Sequence, residues 1–254
     1  MKNRLVDYGL IALLFSSSLS AASVRSQVSL LEASENIRLE SQEIVKNYLY
    51  FYSNHKKKYK KSLAKKGLSS LDKQFRLIAK STKDEDSKDI LAFLDYSKEN
   101  MQNVLDDPFN KDNLAMMIEY SEVLLEGAES ISKNLNYEPT TEEIMLMKMK
   151  DISFLIERMT KYYMAIMVES DSENNLEMLN ESIVRMEDDL LSLKEYNYSS
   201  KNIEHLFDLQ NNWQALKIFY LNHKTLKLPS IVLLASDEVR NNALVLETYH
   251  SKNQ

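Results

Sequence analysis

At 254 residues the chain is long enough for one large or two small domains with a substantial core. Its formal charge of −6 argues against generic nucleic-acid binding, and the absence of cysteine excludes disulfides, a thiol nucleophile, a thiolate metal site and a lipid-anchor cysteine. Three glycines and three prolines are too few to turn many short strands, so an all-α fold of long helices is expected.

The first residues, MKNRLVDYGLIALLFSSSLSAAS, combine a basic start (Lys2, Arg4), an apolar run from Tyr8 to Phe15 and a small-residue tract ending near Ala22. That order reads as a secretory signal peptide over residues 1–22, which implies a periplasmic protein. The apolar run is shorter than the roughly 20 residues that span a bilayer, and an uncleaved N-terminal anchor is the alternative. Cleavage removes Lys2, Arg4 and Asp7 and takes the formal charge from −6 to −7.

Helix one is predicted from about Val28 into the lysine-rich stretch HKKKYKKSLAKKG, with Gly67 as its stop. Within it Ile37, Ser41, Ile44, Tyr48 and Phe51 recur at steps of four and three, which places them on one inward face. Ser69 and Asp72 have the spacing of a capping box that would start helix two. Lys83 to Asp86 reads as a charged turn, followed by helix three over 87–106, a break at Pro108 and helix four over 111–135. Pro139 ends that unit. Thr140 and Glu143 form a second capping-box pattern at the start of helix five, which runs to about Glu169. Helix six is expected over 173–196, helix seven over 200–221, and Pro229 suits the first turn of helix eight.

The run SENIRLESQEIVKNYL, residues 34–49, resembles the first helix of the PilJ-type domain. That domain is the sensory module of type IV pilus chemotaxis transducers and is related to periplasmic NarX-like nitrate/nitrite sensors. Against a family pattern close to GRQRMLSQRIAKAYL, the residues Arg38, Ser41, Gln42, Ile44, Lys46, Tyr48 and Leu49 match. Glu35, Asn36, Ile37 and Glu43 replace the family's Gly, first Arg, Gln and last Arg.

The second half repeats features of the first. A shift of 115 carries Ile37 onto Ile152, Ser41 onto Ile156, Ile44 onto Met159, Tyr48 onto Tyr163, Phe51 onto Ile166 and Lys46 onto Lys161. Each half also has a proline before its last helix, Pro108 and Pro229. The expected architecture is therefore two tandem antiparallel four-helix bundles, PilJ-like copies over 28–135 and 140–251.

Arg38 is the sharpest candidate for chemistry. In the sensors that the chain resembles, arginines from the first helices of two packed bundles meet and hold a small anion such as nitrate or nitrite. A planar, permanently charged fork suits that task. The resemblance thus implies a ligand site at Arg38, Ser41 and Gln42. The counterpart of Arg38 in the second copy is Ser153, so a paired site is either asymmetric within one chain or draws Arg38 from two chains of a homodimer. The competing reading is a surface arginine bridged to Glu35 or Gln42.

Other clusters carry weaker signals. Lys56, Lys57, Lys58, Lys60, Lys61, Lys65 and Lys66 either meet an acidic partner, cell-wall polymer or anionic lipid, or form a solvated helix end. His55, His205, His223 and His250 include no pair three or four apart, and Glu247 to His250 is a lone Glu-x-x-His, so no di-metal bundle is expected. Met145, Met147 and Met149 would converge on Cu(I) only outside a helix, and inside one they fill core. No metal, cofactor or catalytic residue is predicted, and no Gly-rich phosphate loop or Gly-x-Ser-x-Gly elbow occurs, so no enzyme is expected.

Two functions remain open. One is a periplasmic sensory protein that presents nitrate or nitrite to a membrane chemoreceptor or histidine kinase. The other is a helical cell-envelope scaffold or adaptor that has kept the fold and lost the site.

Overall fold

The computed structural model describes residues 4–53, 58–82, 84–133, 138–168 and 172–253, the side chains before residue 27 and at 58 and 172 excepted. Among these residues the chain is all-α, with no strand. The helices are α1 (Arg4–Ser53), α2 (Lys58–Ser81), α3 (Glu85–Asp106), α4 (Lys111–Lys133), α5 (Thr141–Met167), α6 (Ser172–Ser192), α7 (Ser200–Leu221) and α8 (Pro229–Lys252). A short 3-10 turn, Leu193–Glu195, follows α6.

Helix starts follow the local chemistry. Thr140 Oγ1 accepts from the Glu143 amide while the Glu143 carboxylate accepts from the Thr140 amide, which completes the predicted box at α5. Asp84 caps α3 by accepting from the Ser87 amide at 2.7 Å, and Pro229 occupies the first turn of α8. Between the two expected copies, residues 134–137 lie outside the described residues, and 138–140, around Pro139, are non-helical.

Three predicted helix boundaries are corrected. Gly67 lies inside α2 and stops nothing: a Cβ there would stand 2.6 Å from Ile44 Cγ1, so glycine lets α2 approach α1. Ser69 is likewise mid-helix, its hydroxyl donating back to the Lys65 carbonyl at 3.2 Å, and it caps no terminus. Helix one starts far upstream of Val28, because no proline interrupts residues 4–53 and Gly9 alone weakens the run. Residues 4–22, read as secretion signal, are the first turns of that helix, and among the described residues no helix is long and apolar enough to cross a membrane.

Helices α1 to α4 pack among themselves, as do α5 to α8, and the two sets meet where α1 lies against α5. The seam predicted on helix one, Ile37, Ser41, Ile44, Tyr48 and Phe51, is buried throughout. Helix α5 is enclosed almost all round: from Ile152 to Ala165 every position except Arg158 is buried. A helix apolar on all sides belongs at the centre, and α5 sits there between α1, α6 and α8. Buried residues of both sets form one contiguous apolar cluster.

Candidate functional site

Arg38 projects from α1 towards α4 and α5 and is buried. Its Nη1 donates to Glu35 Oε2 at 2.6 Å, and its Nη2 donates to Asp151 Oδ1 of α5 at 2.8 Å. The guanidinium carbon lies 4.4 Å above the centre of the Phe154 ring. Nε, buried and without a hydrogen bond, is 3.5 Å from Glu129 of α4. Asp151 also receives Nη2 of Arg185 from α6, at 3.0 and 2.8 Å through its two oxygens. Arg38 is thus the hub of a carboxylate cage that joins both sets of helices, and of the partners foreseen on the surface only Glu35 is real.

Charge in this cage is balanced from within. Burial works against ionisation of Asp151, but Arg185 and Arg38 prevail and hold its pKa below the usual carboxylate range. Burial raises the pKa of Glu35 despite Arg38. Asp189, on α6, is pushed up to about 7 by burial first and then by its hydrogen bond to Asp151. The Arg38 pKa stands above its ordinary value because Glu35 and Asp151 outweigh desolvation.

Ser41 and Gln42, expected beside Arg38, are buried on the same face of α1 but turned to other tasks. The Ser41 hydroxyl donates to the Arg38 carbonyl at 2.8 Å. Gln42 Nε2 donates to Ser41 Oγ at 3.1 Å and to the Ser121 carbonyl of α4 at 3.4 Å, while its Oε1 is buried without a partner. Ser153, which a shift of 115 sets opposite Arg38, is also buried.

A second charged seam lies one turn and more along the same interface, and sequence reasoning assigned it no role. Lys46 of α1 is buried, with Nζ 2.7 Å from Glu157 of α5 and 3.4 Å from Asp237 of α8. Lys161 of α5 is buried too, with Nζ 2.6 Å from Glu122 of α4 and 3.0 Å from Ser121 Oγ. Each lysine therefore reaches from its own set of helices to the last helix of the other. The shift of 115 that carries Lys46 onto Lys161 also carries Ser121 and Glu122 onto Ser236 and Asp237. Arg240 extends the first of these clusters, bridging Glu43 at 3.0 Å and Glu157 at 2.9 Å, and Arg158 extends the second with Glu122 at 3.0 Å. The available signal was a lysine recurring at the same place beside two apolar seams.

Burial acts differently on the two lysines. For Lys46 desolvation is overcome by Glu157 and Asp237, so its pKa is raised, and Glu157 is lowered by Lys46 and Arg240 against its own burial. Lys161 is pulled down to about 8, by desolvation first and by Arg158 as well, with Glu122 opposing.

The remaining candidates scatter. Lys56 and Lys57 lie outside the described residues; Lys60 is buried with its ammonium 5.9 and 5.4 Å from the Tyr50 and Tyr59 ring centres, and Lys65 pairs with Asp106 at 2.6 Å. Met145, Met147 and Met149 are helical positions of α5. His250 does not use Glu247, which pairs with Lys150 at 3.3 Å. Instead its Nδ1 is 2.8 Å from Glu142 and its Nε2 2.8 Å from the Tyr198 hydroxyl. Among the described residues no group of three or more His, Asp and Glu side chains is placed to hold a metal ion. Comparisons with protein-family models, with curated proteins and with solved structures give no match, so the PilJ-type resemblance rests on the helix-one residues alone.

Proposed function

We propose that this chain is a non-enzymatic helical scaffold or adaptor of the cell envelope, made of two copies of one four-helix unit. In it the arginine that the sensors devote to a small anion is devoted instead to joining the copies. The observation that carries this reading is the occupation of the Arg38 fork by Glu35 and Asp151 at 2.6 and 2.8 Å. Both carboxylates belong to the chain, and a monovalent anion arriving from solution must displace a partner already held at bonding distance. Correspondence at a shift of 115 between Lys46 with Asp237 and Lys161 with Glu122 supports the two-copy reading. The basic, apolar and small residues before position 23 favour export to the periplasm. A membrane chemoreceptor or histidine kinase is the partner class that the family resemblance suggests.

The sensor reading keeps one observation in its favour: Arg38 stands between α1 and α5, where paired first helices would hold an anion, and its Nε has no hydrogen bond. Titration calorimetry of nitrate and nitrite into the protein in chloride buffer separates the two. The scaffold reading expects no saturable heat. A saturable heat for nitrate that disappears in Arg38→Lys makes the protein a sensor.

A further inference from the structure

Helices α2 and α6, the second helix of each set, carry opposite charge. In α2 eight lysine and arginine residues face a single aspartate, whereas α6 has six carboxylates and a single arginine. The contrast lies on the solvent side, for Lys66 and Lys73 of α2 and Glu181 and Asp188 of α6 are all exposed. Among the described residues none of these four stands within ion-pair distance of an opposite charge, and Lys73 acts on Glu40 only from farther off. The shift of 115 carries Lys66 onto Glu181 and Lys73 onto Asp188, so the same two places hold opposite signs.

Apolar side chains lie among these charges. On α2, Tyr59, Leu63, Lys66, Lys73 and Leu77 share one stripe, with Tyr59 53% and Leu63 39% exposed. On α6, Glu181, Val184, Asp188 and Leu191 share another, with Val184 60% and Leu191 62% exposed. Helix α7 continues that second surface. Glu187 of α6 accepts hydrogen bonds from Trp213 and Lys217 of α7, so Phe207, Ile218 and Leu221 flank the bridge on the α7 side, each more than half exposed. A half-exposed side chain of this size presents on the order of 100 Å². The α6–α7 face therefore offers roughly 500 Å² of apolar surface, at the upper end for a monomer and most of the roughly 800 Å² that each partner gives to a stable interface.

We infer that the α6–α7 face binds the α2 face of a second copy of this chain, head to tail. Two α6–α7 faces set against each other would bring Glu181 and Asp188 of both copies together, which disfavours a symmetric pair. A basic, partly apolar helix meets the requirement of this surface, and α2 is such a helix. The two faces belong to different halves of the chain, so a joined pair keeps one free face of each kind and assembly continues as a chain or closes as a ring.

The test is the mass of the full chain by size-exclusion chromatography with light scattering, at low salt and in about 1 M salt, where the screening length falls to about 3 Å. Assemblies above the one-chain mass of 29.6 kDa are expected at low salt, shrinking as salt rises. Lys66→Glu/Lys73→Glu and Glu181→Lys/Asp188→Lys should each run as single chains with unchanged helicity; the second should also keep its melting temperature, whereas the first sets new carboxylates near Glu40 and Glu43 and should melt somewhat lower while staying folded. An equimolar mixture of the two variants should regain the high mass, because basic α2 again meets acidic α6 and the reversed faces match as well. A wild-type protein that stays at one-chain mass at low salt overturns the inference, as does a mixture that fails to assemble. A dimer that survives the α2 reversal overturns it too, since it would be a symmetric pair. So does a monomer that binds an unrelated basic amphipathic peptide on α6–α7, since that face then serves a different partner.

Discussion

Single residues decide what the centre of this molecule does, and the buried charges are the clearest case. Removing one member of a buried ion pair typically costs about 3–5 kcal/mol, because the other is left uncompensated, while replacing both by apolar groups costs far less. Lys46→Met should fall towards the low end of that range, since Glu157 keeps Arg240 at 2.9 Å. Lys46→Met/Glu157→Leu should recover most of the loss in urea unfolding; a double variant no more stable than the single one would mean that a stranded Glu157 charge is not the source of the loss. Asp189 gives a prediction in pH. Its folded pKa of about 7 lies above the ordinary value of 3.8, so between those values the folded protein holds a proton that the unfolded chain has released. The stability so gained is fully present below the ordinary value and is lost as pH rises through 7. Asp189→Asn should flatten that loss in melts between about pH 5 and 8, and parallel curves for both proteins would place the proton elsewhere. The motif around Arg38 singled it out, with a surface arginine as the competing reading; the structure buries it between α1 and α5. Its partner on α5 was not foreseeable, because Asp151 is 113 residues away and no local pattern relates the two.

Helices were the most legible level. Periodicity of apolar residues placed α7 within its observed ends, and capping chemistry placed the start of α5, because both signals are local to the helix they describe. What misled was glycine, which serves equally as a helix stop and as a gap for a neighbouring helix. Gly67 faces Ile44, and a Cβ on Gly127 would meet the buried Leu94 of α3 closer still. Alanine favours a helix over glycine by about 1 kcal/mol, but overpacking a filled core costs about 1–3 kcal/mol. Gly127→Ala should therefore lower the melting temperature despite its better helix propensity. A rise would show that Leu94 can shift, and would remove close approach as the reason for glycine at this position.

Across the whole molecule, the two sets of helices share one apolar cluster and exchange buried lysines, so neither is expected to be complete alone. A fragment covering residues 140–254 would expose the sides of α5 that α1 and α4 cover, with Phe154, Glu157 and Lys161. It should keep its helical circular dichroism but lose the near-ultraviolet signal of Trp213, the only tryptophan. Cooperative unfolding of that fragment with an intact Trp213 signal would instead make each set a self-sufficient domain. The proposal that Asp151 and Glu35 take the place of an anion at Arg38 is tested most directly by the melting temperature in nitrate against chloride at equal ionic strength. Wild-type protein should melt at the same temperature in both salts. Asp151→Asn removes one caging charge beside Arg38 and Arg185, and should melt higher in nitrate than in chloride. A nitrate-specific rise in the wild type, or none in Asp151→Asn, would contradict the account.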